Sequence, residues 1–146
     1  MWGADDPDCR KPVIWNDIVY EDEHANYNPD VSRPVDVVRQ DTGLLSFYRG
    51  LCKMRKENPV LAIGDLTFLV ADDKKMVLVY NRTLNNDEII VAFNRSNDPQ
   101  SVKVPVRKEE EYIGILPGSS DKFKNIDNGI EIRLEPLTAI VLKKKQ

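Results

Sequence analysis

Leu66-Thr67-Phe68-Leu69-Val70-Ala71-Asp72-Asp73-Lys74-Lys75-Met76-Val77-Leu78-Val79-Tyr80-Asn81-Arg82 reads as a β-hairpin. Two runs rich in β-branched and aromatic residues, Leu66–Ala71 and Met76–Arg82, flank the polar turn Asp72–Lys75. The same grammar continues downstream. Glu88–Asn94 follows the polar turn Leu84-Asn85-Asn86-Asp87. Gln100–Val106 alternates Val102, Val104 and Val106 with polar neighbours, the pattern of a half-buried strand. Glu111–Leu116, Gly129–Leu134 and Leu137–Lys143 extend the series. Short strands at regular spacing, separated by polar turns, predict an antiparallel sandwich. Upstream the period changes to helical. Leu44, Phe47, Tyr48, Leu51 and Met54 recur at i, i+3, i+4, i+7 and i+10, widened by Leu45 and Cys52. Asp41 or Thr42 caps the start, and Asn58-Pro59 stops the helix because a residue before proline avoids the α region. The expected span is Thr42–Glu57.

Residues 1–36 differ from the rest. They hold nine Asp/Glu against three Lys/Arg, with two of the five tyrosines and neither a helical nor a strand period. The segment reads as long and irregular. A structureless stretch of this length is uncommon inside one domain, so it is either functional or part of a larger body. The whole chain, 146 residues with a net charge of −3, is too short for a (β/α)₈ barrel, which takes about 250 residues. Its acidic balance argues against a nucleic-acid partner. One histidine, His24, and two cysteines, Cys9 and Cys52, exclude a zinc finger and a disulfide scaffold. No apolar run reaches the ~18 residues of a membrane span, so no membrane partner is expected.

Self-contained catalysis finds little support. The chain has no G-x-S-x-G elbow, C-x-x-C, P-loop or G-x-G-x-x-G. Cys9 and His24 have nothing to order them as a pair. Asp5, Asp6 and Asp8 lack the glycine turn and terminal glutamate of a calcium loop and read as a solvated acidic loop. The sequons Asn81-Arg82-Thr83 and Asn94-Arg95-Ser96 read as chance matches at strand ends. Lys143–Lys145 reads as a solvated tail. The segment Asp5-Asp6-Pro7-Asp8-Cys9-Arg10-Lys11-Pro12-Val13-Ile14-Trp15 is more informative. Carboxylates and a guanidinium hydrogen-bond hydroxyls in pairs, and an indole covers the C–H face of a pyranose. A salt-bridged loop around a core tryptophan is the competing reading.

Gly3–Trp15 resembles the loop after the last barrel strand of alpha-amylase-family enzymes, glycoside hydrolase family 13, nearest the neopullulanase, cyclomaltodextrinase and maltogenic amylase group. Leu44–Leu51 with Met54–Leu61 resembles that family's last barrel helix and its exit. Gly64-Asp65-Leu66, Val77–Arg82 and Ile89–Ser96 resemble its C-terminal β-sandwich, domain C. The resemblance implies a mainly β fold: an antiparallel Greek-key sandwich of about seven or eight strands, preceded by one amphipathic helix and a long irregular segment. It implies a division into 1–59, the final active-site loop and last helix of a truncated barrel, and 60–146, domain C. It implies retaining hydrolysis of α-glucosidic bonds in starch, pullulan, cyclodextrin or malto-oligosaccharides by the parent chain. The family's Gly-Phe-Arg-x-Asp and Asn-His-Asp motifs do not occur here, so no catalytic residue carries over and the chain by itself is expected to be inactive. Asp6 and Arg10 match positions that contact glucose in the parent cleft. No metal site or cofactor is implied for this chain, calcium being an option for the parent only.

The implied partners are the missing barrel and, through it, the α-glucan. The compartment, bacterial cytoplasm or periplasm, would be set by sequence upstream. Two other readings compete. A free-standing carbohydrate-binding module predicts measurable glucan affinity, although the strands offer few paired exposed aromatics: of Tyr80, Phe93, Tyr112 and Phe123, the first two alternate toward an expected core. An interaction domain predicts a homodimer through the exposed face of the helix.

Overall fold

The computed structural model describes residues 13–20, 22, 37–107, 109–117, 119 and 122–145. Two compact units, Met1–Arg49 and Gly50–Gln146, divide the chain. In the first, the Tyr20 hydroxyl closes a short turn by accepting from the Trp15 N–H at 3.2 Å. Gln40 Nε2 donates to the Ile14 carbonyl at 3.2 Å, tying this turn to the approach to the helix. Trp15 is 47% exposed, so it is not a core tryptophan.

Helix α1 spans Thr42–Glu57, as its apolar period predicts. Asp41 is the cap: its Oδ1 accepts the Leu44 N–H at 2.8 Å, satisfying one of the orphan donors of the first turn. Arg55 and Lys56 occupy the last turn, where the helix dipole favours cations. Asn58 ends the helix but does not end helical structure. Pro59 opens a second helix, α2, Pro59–Ile63. Proline suits the first helical position because its missing N–H has no partner there anyway. The expectation of a single helix is corrected on this point. Asn58 joins three elements. Its Nδ2 donates to the Met54 carbonyl at 2.7 Å, its carbonyl accepts from Leu61 N at 2.9 Å, and its Oδ1 accepts from Lys143 Nζ at 2.9 Å.

Among the described residues eight strands follow: β1 Asp65–Asp72, β2 Val77–Leu84, β3 Asp87–Asn94, β4 Gln100–Val104, β5 Tyr112–Gly114, β6 Phe123–Ile126, β7 Gly129–Leu134 and β8 Thr138–Lys144. They form a five-stranded sheet in the order β1-β2-β3-β8-β5 and a three-stranded sheet in the order β4-β7-β6. All pairings are antiparallel. The chain leaves the first sheet after β3 and crosses for β4, β6 and β7. It returns for β5 and finally for β8, which inserts between β3 and β5 in Greek-key fashion.

Strand β6 escapes the sequence pattern. Phe123-Lys124-Asn125-Ile126 is four residues long with polar residues at its centre, too short to show a period. Pro105 ends β4 earlier than the valine alternation suggests, since proline cannot donate to the ladder. Lys143–Lys145 is not a free tail. Lys143 binds Asn58, Lys144 lies 3.6 Å from Glu110, and Lys145 lies 2.8 Å from Glu111.

The main core lies between the sheets. It gathers Val77 and Val79 of β2, Ile90 and Ala92 of β3, Val102 and Val104 of β4, Ile130, Ile132 and Leu134 of β7, and Leu142 of β8. A smaller cluster covers the opposite face of the five-stranded sheet. There Val60 of α2 packs with Ile89, Val91 and Val141, flanked by Met54 and Leu61. A β-bulge between Phe68 and Val70 breaks the alternation of β1. Leu69 and Val70 therefore both pack toward the main core, and Phe68 turns outward. Among the described residues no helix is long and apolar enough to cross a membrane.

Ile132 is fully buried at the centre of the three-stranded sheet. Ile132→Ala should lower unfolding stability by about 2–5 kcal/mol in urea titration, whereas Lys124→Ala should stay within about 0.5 kcal/mol. Gly129 has φ +156°, and an added Cβ would strike the Val104 carbonyl oxygen. Gly129→Ala should cost at least about 1 kcal/mol in the same titration, against the usual gain from replacing glycine.

Candidate functional site

The described residues carry two candidate surfaces. The first is an aromatic row across the outer face of the five-stranded sheet. Antiparallel register sets Phe68 opposite Tyr80 and Leu78 opposite Phe93. Side chains two residues apart share a face. Phe68, Tyr80 and Phe93 thus line up on the face that α2 covers at its other end. Tyr80 and Phe93 stack with ring centroids 6.2 Å apart and planes at 29°. Phe68 meets Tyr80 edge-on at 6.5 Å and 78°. Phe68 is 63% exposed and Phe93 39%, while Tyr80 is half-buried against the α2 cluster. The expectation that Tyr80 and Phe93 turn into the core is corrected. The sandwich interior takes Val79 and Ala92 instead, and the aromatics lie on the other face of the pleat. Phe68 was missed altogether. Pairing out symmetrically from Asp72–Val77 sets Leu69 opposite Tyr80; the bulge shifts this by one residue and brings Phe68 there.

The second is a polar knot at one end of the sandwich, beside an open cleft of about 520 Å³. Tyr112 of β5 is 4% exposed. Its hydroxyl donates to Glu88 Oε2 at 2.7 Å and lies 3.4 Å from Glu110 Oε2. Asn81 Nδ2 donates to Glu88 Oε1 at 2.6 Å, and Lys144 Nζ lies 3.6 Å from Glu110 Oε1. Burial, then the hydrogen bond and charge of Glu88, then the charge of Glu110, push the Tyr112 phenol well above its ordinary range. Two carboxylates near one cleft suggest acid–base work, but these hold a phenol, an amide and an ammonium in place. Among the described residues no group of three or more His, Cys, Asp or Glu side chains is arranged to hold a metal ion.

The remaining sequence candidates resolve as follows. Asp6, Arg10, Cys9, His24 and the cluster Asp5, Asp6, Asp8 lie outside the described residues. Cys52 is a free, exposed thiol on α1. Neither sequon offers an available amide. Asn94 is buried, its Nδ2 donating to the carbonyls of Asp98 and Glu135 at 2.8 and 3.0 Å, and Asn81 is held by Glu88. On α1, Leu44, Phe47 and Tyr48 are exposed, and no residue of that helix is buried.

Comparison with known proteins agrees with this architecture. Residues 64–142 match the Alpha-amylase C-terminal domain family. Over 119 residues the chain is 30% identical to a cyclomaltodextrinase of Geobacillus thermopakistaniensis, covering 81% of this chain and 17% of the relative. Over 144 residues it is 25% identical to neopullulanase 2 of Thermoactinomyces vulgaris, covering 97% of this chain and 21% of the relative. Among solved structures, the alpha-amylase of Geobacillus thermoleovorans in complex with acarbose superposes with a TM-score of 0.66 at 25% identity. That match covers 74% of this chain and 24% of the other. The chain thus spans about a fifth of the length of these curated relatives.

Tyr112→Phe leaves Glu88 and Glu110 without their shared donor. It should cost about 1–3 kcal/mol of unfolding stability at neutral pH. A phenol pKa raised by folding adds stability that is complete below the unfolded value of 10.0 and declines as the pH rises beyond it. Denaturation followed from pH 8 to 11 should show this decline in the parent chain and a weaker one in Tyr112→Phe.

Proposed function

This chain belongs to the Alpha-amylase C-terminal domain family, and from that premise we propose that it works as the C-terminal part of a retaining α-glucan hydrolase. Residues 60–146 serve as domain C, and residues 1–59 supply the last active-site loop and last helix of the barrel. The observation that carries this reading is the family match over residues 64–142 joined to the loop upstream. Gly3–Trp15 keeps the D-P-D-C-R-x-P pattern, and the chain aligns over 97% of its length with a neopullulanase.

In such an enzyme a carboxylate nucleophile and a carboxylic acid flank the scissile α-glucosidic bond and pass through a covalent glycosyl-enzyme. Both belong to barrel strands outside this chain. The chain's own contribution is twofold. Arg10 donates a fork of N–H bonds to glucose hydroxyls while Asp6 accepts from them. Domain C covers the barrel beside its last helix and stabilises it. Starch, pullulan, cyclodextrin and malto-oligosaccharides all fit this site chemistry. Isolated from the barrel, the loop has no opposing wall, and the chain neither hydrolyses nor tightly binds glucan.

The chain joined to its upstream reading frame should hydrolyse maltodextrin or cyclodextrin, and Arg10→Ala should lower kcat/KM about ten- to hundredfold. A well-folded full-length protein inactive on maltodextrin, cyclodextrin and pullulan would sink the enzyme reading. Calorimetric titration of the 146-residue chain with millimolar maltoheptaose should show no heat of binding.

A further inference from the structure

We propose that Asn128 is a site of self-modification: its carboxamide condenses with the backbone nitrogen of Gly129, and the isoaspartate that follows unpins strand β6. The sequence holds a single Asn-Gly pair, Asn128-Gly129. Asn128 is exposed at the tip of the β6–β7 hairpin. Glycine leaves the nitrogen that follows the asparagine unshielded, since it carries no Cβ. Every other asparagine of the chain precedes a residue that bears a side chain. Asn81 is in addition held by Glu88, and Asn94 by the carbonyls of Asp98 and Glu135. Asn58 precedes a proline, whose nitrogen has no proton to lose.

The fold obliges this pair to stand. Asn-Gly most often signals a hairpin by filling both central places of its turn. Here Ile126 pairs with Gly129, so Asp127 and Asn128 form the turn and Gly129 already belongs to β7. Neither turn residue is among the described non-glycine residues with positive φ. The glycine serves the sheet instead. A Cβ at Gly129 would strike the Val104 carbonyl oxygen of β4, so packing of β7 on β4 keeps a bare nitrogen next to an exposed carboxamide.

The chemistry needs only water and base. The Gly129 nitrogen gives its proton to solvent base and attacks Asn128 Cγ. The new N–Cγ bond closes a cyclic imide, the Cγ–Nδ2 bond breaks, and the amide nitrogen takes a proton and leaves as ammonia. Water then opens the imide. Attack at Cγ gives aspartate, and attack at the main-chain carbonyl carbon gives isoaspartate, whose main chain runs through Cβ and Cγ. Nothing is oxidised or reduced. Isoaspartate lengthens the backbone of a two-residue turn by one methylene, and turn length sets hairpin register. Strand β6 is exposed to that change because it pairs with β7 alone. Its Phe123 packs on the main core, and Lys124 lies 2.7 Å from Glu131 across the pair; both contacts depend on the register. The new carboxylate also stands next to Asp127.

Incubation of the 146-residue chain at mildly alkaline pH, where the Gly129 nitrogen loses its proton more readily, tests the proposal. Peptide mapping by mass spectrometry should find Asn128 to be the first asparagine converted, and an isoaspartyl methyltransferase should label the product. Amides of β6 should then exchange about tenfold or more faster than in fresh protein, with β2 and β3 unchanged. Asn128→Gln, whose longer side chain closes a less favourable ring, should keep its exchange rates through the same incubation. Freshly prepared Asn128→Asp gains the carboxylate without the extra methylene, and its β6 amides should exchange within about twofold of the parent. Conversion in the urea-unfolded chain but not in the native chain would overturn the proposal, because the fold then protects the pair. So would earlier conversion of another asparagine in the native chain, isoaspartate at position 128 with β6 exchange unchanged, or fresh Asn128→Asp exchanging as fast as the aged chain. None of these outcomes depends on glucan hydrolysis.

Discussion

Strand β3 is buried on both faces, and the second unit is built around that constraint. Ile89, Ile90, Val91 and Ala92 are consecutive and all buried. A strand of alternating polarity needs one cover, whereas a continuous apolar strand needs two. The three-stranded sheet supplies the first cover against Ile90 and Ala92. Helix α2 supplies the second against Ile89 and Val91. β8 shares the position, with Val141 facing α2 and Leu142 facing the other sheet. Removing an inward-facing isoleucine or leucine opens a cavity in a packed interior, where neighbours relax only in part.

The polar elements serve the same arrangement. Asn58 would otherwise be a buried amide at the junction of α1 and α2. Its bonds to Met54 and Lys143 satisfy it and fix α2 over β8. At the end of the sandwich Tyr112 brings a phenol into the core margin, and Glu88, Asn81, Glu110 and Lys144 surround it, the buried Asn81 Oδ1 being left without a partner among the described residues. Such networks are costly if half-satisfied and specific when complete. Their carboxylates are therefore structural, which fits a chain whose proposed catalytic groups belong to an upstream barrel.

The cover over β3 is itself unfinished. α2 is five residues long and reaches one end of the face only. An edge strand bearing exposed Leu66 and Phe68, beside exposed Phe93, is the kind of apolar surface that soluble proteins seldom leave large and contiguous.

Much of this was legible in the sequence. The α1 span and a cap at Asp41 or Thr42 follow from a 3.6-residue apolar period and cap side chains, both local signals, and the structure selects Asp41. Seven of the eight strands and the antiparallel hairpins follow from β-branched runs between polar turns. The family followed from segments of fixed spacing. Only the tertiary structure decided which way the strands face. Val79 and Tyr80 are neighbours with opposite fates, and nothing local tells an outer face awaiting cover from an inner one. The bulge at Leu69 was equally invisible, since one unpaired residue leaves no mark on composition yet turns Phe68 out and Leu69 in. Sequence fixes elements through nearest neighbours along the chain. Faces are fixed by neighbours across space, and these exist only once the sheets have met.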